Sequence, residues 1–157
     1  MRFLALLLIG FGYSALSAAA AERADLDAAF DKDVLIIESS RFACYLFDIY
    51  LATSDEQQRR GLMFVRQLPR FTGMLFVYAD TRRHSMWMKN TFIPLDIAFA
   101  RADGTIANIA HDTEPQSLQT IPSAEPVNYV LELNAGITKE LFIDENSRIL
   151  WGPVLNP

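Results

Sequence analysis

Apolar residues in this chain come in short runs cut off by turn signals, and none has the length and 3.6-residue spacing of a long amphipathic helix. The runs are VLIIES (34–39), FACYLFDIYLA (42–52), GMLFVYA (73–79), LDIAFA (95–100), TIANIA (105–110), VNYVLELNAG (127–136) and SRILW (147–151). Their branched and aromatic side chains suit pleated strands. Asp103-Gly104, between LDIAFA and TIANIA, is a hairpin signal. Such a pattern constrains the chain to a mostly β fold: a small closed or partly open β-barrel of about seven strands with one short α-helix. The helix falls in TSDEQQRRGLM (53–63). There Thr53 with Glu56 and Ser54 with Gln57 both fit a capping box, and Gly61 supplies the stop. A further helical turn is expected from Ile137 to Leu141. Residues 112–126, broken by three prolines, read as a long loop.

The N-terminal stretch MRFLALLLIGFGYSALSAAAAE has an early arginine, an apolar run from Phe3 to Leu16 and a tail of small residues. That is the order of a secretory signal peptide, with cleavage after Ala21. The run is short for a membrane span of about 20 residues, so an uncleaved anchor is the lesser alternative. The expected organisation is a signal peptide over 1–21, a polar lead-in over 22–33 and a single domain over 34–157. The destination is periplasmic or extracellular. The formal charge is −5, and loss of Arg2 makes it one more negative. An acidic surface with scattered arginines disfavours nucleic acid and anionic membrane as partners. Membrane contact is left only to an uncleaved signal segment. Cys44 is the sole cysteine, so no intrachain disulfide forms. Its apolar company predicts a buried small residue.

RGLM (60–63), GMLFVY (73–78), WMKNTFIPLDIAF (87–99), the Asp-Gly hairpin and YVLELNAG (129–136) stand in a characteristic order and spacing. Together they resemble the uncharacterised bacterial family numbered 192 among domains of unknown function, over the segment from Leu35 to Leu150. The resemblance implies a compact, mostly β, barrel-like domain, often behind a signal peptide or anchor. It implies no reaction and no cofactor. Two departures stand out. Val65 occupies a place where the resemblance leads to an arginine, with Arg66 beside it. Asn146-Ser147 replaces a glycine-aspartate turn, with Asn146 able to take the left-handed conformation.

The polar residues of WMKNTFIPLD raise the functional question. If the chain is extended there, Trp87, Lys89 and Thr91 share one face, and Met86, Met88 and Asn90 the other. Pro94 interrupts the pairing just beyond. Asp96 and Glu132 lie within apolar strands, where a carboxylate must be paired or hydrogen-bonded; Lys89 and Arg60 are the candidate partners. The set Trp87, Lys89, Asn90, Thr91, Asp96 and Glu132 is then either a polar network fixing the barrel's register or the mouth of a pocket. As a pocket it offers an aromatic platform, a cation and hydrogen-bonding groups to a ligand carrying a carboxylate, phosphate or sugar ring. The reading adopted is a non-catalytic binding module for a small polar or anionic ligand. An accessory domain docking an envelope protein is the first alternative. A hydrolase using Asp96 and Glu132 as a carboxylate pair is the second, weakened by the lack of a G-x-S-x-G or Gly-rich phosphate motif. A Cu(I) protein using His84, Met86 and Met88 is the third, although those methionines also suit core filling.

Overall fold

The computed structural model describes residues 20–152 apart from residue 22. All but the last two residues of the expected signal peptide therefore lie outside the described residues. Helix α1 covers residues 23–29. It leads into β1 (Asp31–Glu38), β2 (Cys44–Ala52), α2 (Asp55–Arg60), β3 (Thr72–Arg82), β4 (Ser85–Met86), β5 (Leu95–Ala100), β6 (Ile106–Ala110), β7 (Ile121–Pro122), β8 (Val127–Asn134), α3 (Ile137–Glu140) and β9 (Arg148–Leu150). Seven strands form one sheet in the order β6-β5-β8-β3-β2-β1-β9, and β4 pairs with β7 in a separate ribbon. Only β2 and β3 run parallel, joined through α2; the other pairs are antiparallel.

The sheet curls until its two ends nearly meet. Thr105 bridges to Arg148, the Ile106 amide donates to the Ser147 carbonyl, and the Ile149 amide donates to the Gly104 carbonyl. The result is the expected barrel-like, mostly β fold. Alternating side chains build two cores. Leu35, Ile37, Phe47, Ile49, Leu75, Leu131, Leu133 and Ile149 fill the inside, and Ile137 and Leu141 of α3 join them. On the outer face, Met74, Phe76, Ile97, Phe99 and Val130 are covered by Leu26, Phe30, Leu62, Val65, Met86 and Met88. The central strands β5, β8 and β3 are therefore apolar on both sides, and LDIAFA is buried at all six positions.

Several local expectations hold. Ser54 caps α2 through the Gln57 amide, Gln57 reaches back to the Ser54 amide, and Gly61 ends the helix at φ 49°. Gly104 takes φ 83° in the β5–β6 hairpin.

Four local features differ. The lead-in is helical, because Leu26 and Phe30 have apolar surface to cover. Asp27 accepts from the Tyr50 hydroxyl at 2.8 Å and anchors it further, and β1 begins at Asp31. Cys44 is exposed: it shares the outward side of β2 with the exposed Leu46, where nothing covers the sheet. Asn146 is not among the positive-φ residues. Its turn is held instead by Asp144 and Ser147, through the Asn146 amide to the Asp144 carboxylate and the Asp144 amide to the Ser147 hydroxyl. Val65 belongs to the outer core, which explains an apolar residue there.

Gly73 allows β3 to lie close against β8. A Cβ there would sit 2.6 Å from the Glu132 carbonyl oxygen and 2.7 Å from Leu133 Cδ2. Gly73→Ala is expected to lower the urea-unfolding free energy by about 1–3 kcal/mol through overpacking. Equilibrium urea melts of the two proteins check it.

Candidate functional site

Glu132 follows from its place in β8. Its neighbours Leu131 and Leu133 point into the barrel, so Glu132 points outward with Val130. Met74 of β3 and Ile97 of β5 flank it across the ladder. The outer layer then closes over it, leaving the residue 4 % exposed. Its Oε2 atom has no hydrogen-bond partner, and His84 Nε2 is the only other such buried side-chain atom among the described residues. Burial pushes the Glu132 carboxyl up to about 8, so it is largely neutral at pH 7.

Above Glu132 lies a cleft of about 90 Å³, lined by the end of α2, by Gly61 and Met63, by Phe76 and Tyr78 of β3, and by Ser85, Met86, Trp87 and Thr91. Gly61 keeps it open: a Cβ there would stand 3.1 Å from Phe76 Cζ and 4.0 Å from Glu132 Oε2. Tyr78 stands at one side, and among the described residues only the Met86 sulfur, 3.9 Å away, accepts from its hydroxyl. Burial, and then the charge of Glu132, push this phenol up to about 12. His84 stacks on the Tyr78 ring at 3.6 Å. Desolvation, and then the charge of Arg82, hold its imidazole below 6.5.

The six residues expected to form the site do not all converge. Trp87 and Thr91 line the cleft with Glu132. The alternation expected over 86–91 stops at Asn90, which turns the chain in the left-handed region at φ 58°. Thr91 is therefore buried beside Met88 instead of sharing the exposed face of Trp87 and Lys89. Asn90 accepts from the Phe64 amide at 2.8 Å through its carbonyl, and its side-chain amide points at the Met63 sulfur, 3.9 Å away. Lys89 is exposed and lies over the Trp87 ring at 5.2 Å. It pairs with neither carboxylate. Arg60 pairs with Asp25 of α1 at 2.6 Å.

Asp96 belongs elsewhere. It is opposite Leu133, and Glu132 is opposite Ile97, so the two carboxyls occupy opposite faces of the sheet. Asp96 accepts from the Thr138 amide at 3.0 Å, the Thr138 hydroxyl at 2.6 Å and the Asp112 amide at 2.9 Å. A strand carboxylate thus tethers the start of α3, whose own N-cap, Gly136, has no side chain to offer. The carboxylate-pair hydrolase is ruled out by this geometry. The copper reading also weakens. The Met88 sulfur is buried against the Thr113 hydroxyl, 3.2 Å away, whose proton goes to the Leu95 carbonyl at 2.8 Å, and the Met86 sulfur is the acceptor for Tyr78 among the described residues.

Two larger grooves, of about 560 and 550 Å³, border α1. Their central polar groups are already satisfied, since Asp27 binds both the Tyr50 hydroxyl and the Lys32 ammonium. The smaller cleft holds the unsatisfied group.

These features define a small barrel-like β domain with one buried, unpartnered carboxyl under a cleft. The chain belongs to family 192 of the domains of unknown function (DUF192, uncharacterized ACR), whose profile matches residues 36–151. Two crystal structures resemble it. A Sinorhizobium meliloti 1021 protein, described as a proposed transcription regulator, is 40% identical over 76% of this chain and 93% of its own, with a TM-score of 0.75. A protein of unknown function from Novosphingobium aromaticivorans DSM 12444 is 32% identical over 76% of this chain and 85% of its own, with a TM-score of 0.74. No curated protein matches.

Three outcomes follow from this geometry. Lys89→Met should leave the urea-unfolding free energy within about 0.5 kcal/mol of the parent, as for an exposed side chain outside any network. Asp96→Ala should cost about 2–4 kcal/mol in the same melts, because it strands buried donors of Thr138. For Glu132 the sign follows from proton linkage. The folded state keeps a proton that the unfolded chain releases between the ordinary value of 4.5 and about 8, so stability falls as pH rises through that window. His84 acts oppositely, losing stability as pH falls below 6.5, which leaves pH 6.5–8 to Glu132. Melts across that interval should show a slope of up to about 1.4 kcal/mol per pH unit, and Glu132→Gln should flatten it.

Proposed function

We propose that this protein is an exported, non-catalytic binding module whose small polar ligand occupies the Glu132 cleft. The observation that carries the reading is the buried Glu132 Oε2 atom with no partner. Leaving a buried polar group unsatisfied is costly, so such a group in a native fold calls for an occupant or a chemical role. In the loops beside it the backbone holds unusual conformations: Phe64, Asn90 and Gln116 all have positive φ. Strained loop residues of this type cluster at ligand sites. Asn90 and Gln116 flank Thr91, whose carbonyl accepts from the Gln116 amide. Export rests on the signal-peptide order of residues 1–21. A formal charge of −5 gives nucleic acid no electrostatic footing.

The second reading, docking of an envelope protein, draws on Phe64, Trp87 and Leu118, three exposed apolar side chains. Hydrogen bonds from Phe64 to Asn90 and from Met88 to Ser117 bring their loops together. A cleft ending in an unpartnered polar atom fits a small ligand better than a flat partner.

Methyl-labelled methionine provides the test, because Met63 and Met86 both line the cleft. Acetate, methylammonium and acetamide serve as probes, each titrated in NMR experiments. Saturable shifts of both methyls by at least one probe are expected, and silence toward all three sinks the reading. Export is tested separately by the N-terminal residue of the chain recovered from the periplasm, which should be Glu22.

A further inference from the structure

Resting on the cleft proposed above, the chemistry of its walls narrows the ligand further. Tyr78, Ser85 and Thr91 border the space, and Glu132 is its only acidic lining residue among the described ones. As a neutral acid Glu132 offers an O–H, and among the described residues the Tyr78 hydroxyl has only a sulfur at 3.9 Å to donate to. Thioether sulfur is a weak acceptor. The floor of the cleft therefore offers O–H donors to an entering acceptor.

The rim is cationic. Arg59 and Arg60 line it. Arg60 is neutralised by Asp25, whereas Arg59 is exposed and makes no ion pair with a described residue. Lys89 holds its ammonium over Trp87, itself a lining residue. An entering ammonium would meet these cations and require Glu132 to ionise. An entering anion meets attraction at the rim and O–H donors on the floor.

We propose that the cleft takes the carboxylate of a small organic acid, bound by the O–H groups of Glu132 and Tyr78 and drawn in by Arg59 and Lys89. Hydrogen bonds from O–H to a carboxylate are short and charge-assisted. A phenol beside a neutral carboxylic acid is a known way of stabilising an oxyanion in an apolar site. The size agrees: about 90 Å³ is the share of roughly three water molecules, enough for a carboxylate and a short stem. With no side chain at Gly61, the space where a Cβ would lie 4.0 Å from Glu132 Oε2 stays unfilled, although the oxygen itself is buried. Any longer part of the ligand would run outward along Trp87.

The test is acetate binding followed through the Met63 and Met86 methyls at pH 7 and pH 9, at constant ionic strength. Glu132 changes charge in that interval, whereas Tyr78 stays protonated and His84 behind it stays neutral; the other charged groups at the rim are Arg59, Arg60 and Lys89. Acetate should bind roughly tenfold more weakly at pH 9, as the protonated fraction of Glu132 falls. Glu132→Gln, whose amide still donates, should bind acetate and lose the pH step. Lys89→Gln, on the surface, should weaken binding a few-fold without affecting the fold. Acetate affinity that is flat or rises with pH in the parent overturns the proposal, whatever the variants do. If methylammonium or acetamide binds while acetate is silent, the cleft stands and the anion assignment falls. Silence toward all three removes both.

Discussion

The structure depends on one constraint: its central strands are buried on both faces. Strands β5, β8 and β3 separate an inner core from an outer one, so the side chains of 72–76, 95–100 and 130–133 all enter packed layers. A polar side chain there has no route to solvent. Asp96 and Glu132 meet this constraint in opposite ways. Asp96, on the inner face, reaches the start of α3 and is satisfied by backbone and hydroxyl donors. Glu132, on the outer face, has no comparable donor for Oε2 and keeps its proton instead. Adjacent strands thus carry two carboxyls with separate duties, one binding the barrel to its end helix and one lying under a cleft.

Much of the fold was legible in the chain. Branched and aromatic runs, the Asp103-Gly104 hairpin and the Ser54-Gln57 capping box each act over a few residues, and each appears in place. The β4–β7 ribbon was not legible, because two residues on each side carry no periodicity. Nor was α1, whose alanines and charges look solvated until Leu26 and Phe30 find the outer core. Cys44 misled for a related reason. Apolar company in sequence does not say which side of a strand is covered.

The candidate site was half legible. Trp87, Thr91 and Glu132 meet at one place, but which partners a charge finds depends on sheet register and on helices distant in sequence. Lys89 looked like a partner for a buried carboxylate because it stood close to Asp96 in the chain. The turn at Asn90 sends it to the surface, and a backbone amide and hydroxyl from Thr138 take its place. Gly61 signalled a helix stop, which it is. Nothing local revealed that its missing side chain also leaves a space above Glu132.

The seam between β9 and the 101–106 turn has a consequence of its own. Between β1 and β2, β3 and β8, and β5 and β8 the wall is stitched by ladders of six to eight pairs, but here closure rests on a few contacts: the Thr105–Arg148 bridge, the amides of Ile106 and Ile149, and the Arg148 guanidinium on the Asp103 carbonyl. Those contacts join segments more than forty positions apart, so loop entropy opposes them and little surface is at stake in parting them. The seam is therefore the least stitched line of the wall, on the side away from the cleft. Breathing there can admit water to the inner core while the outer layer, and the carboxyl beneath it, stay shut.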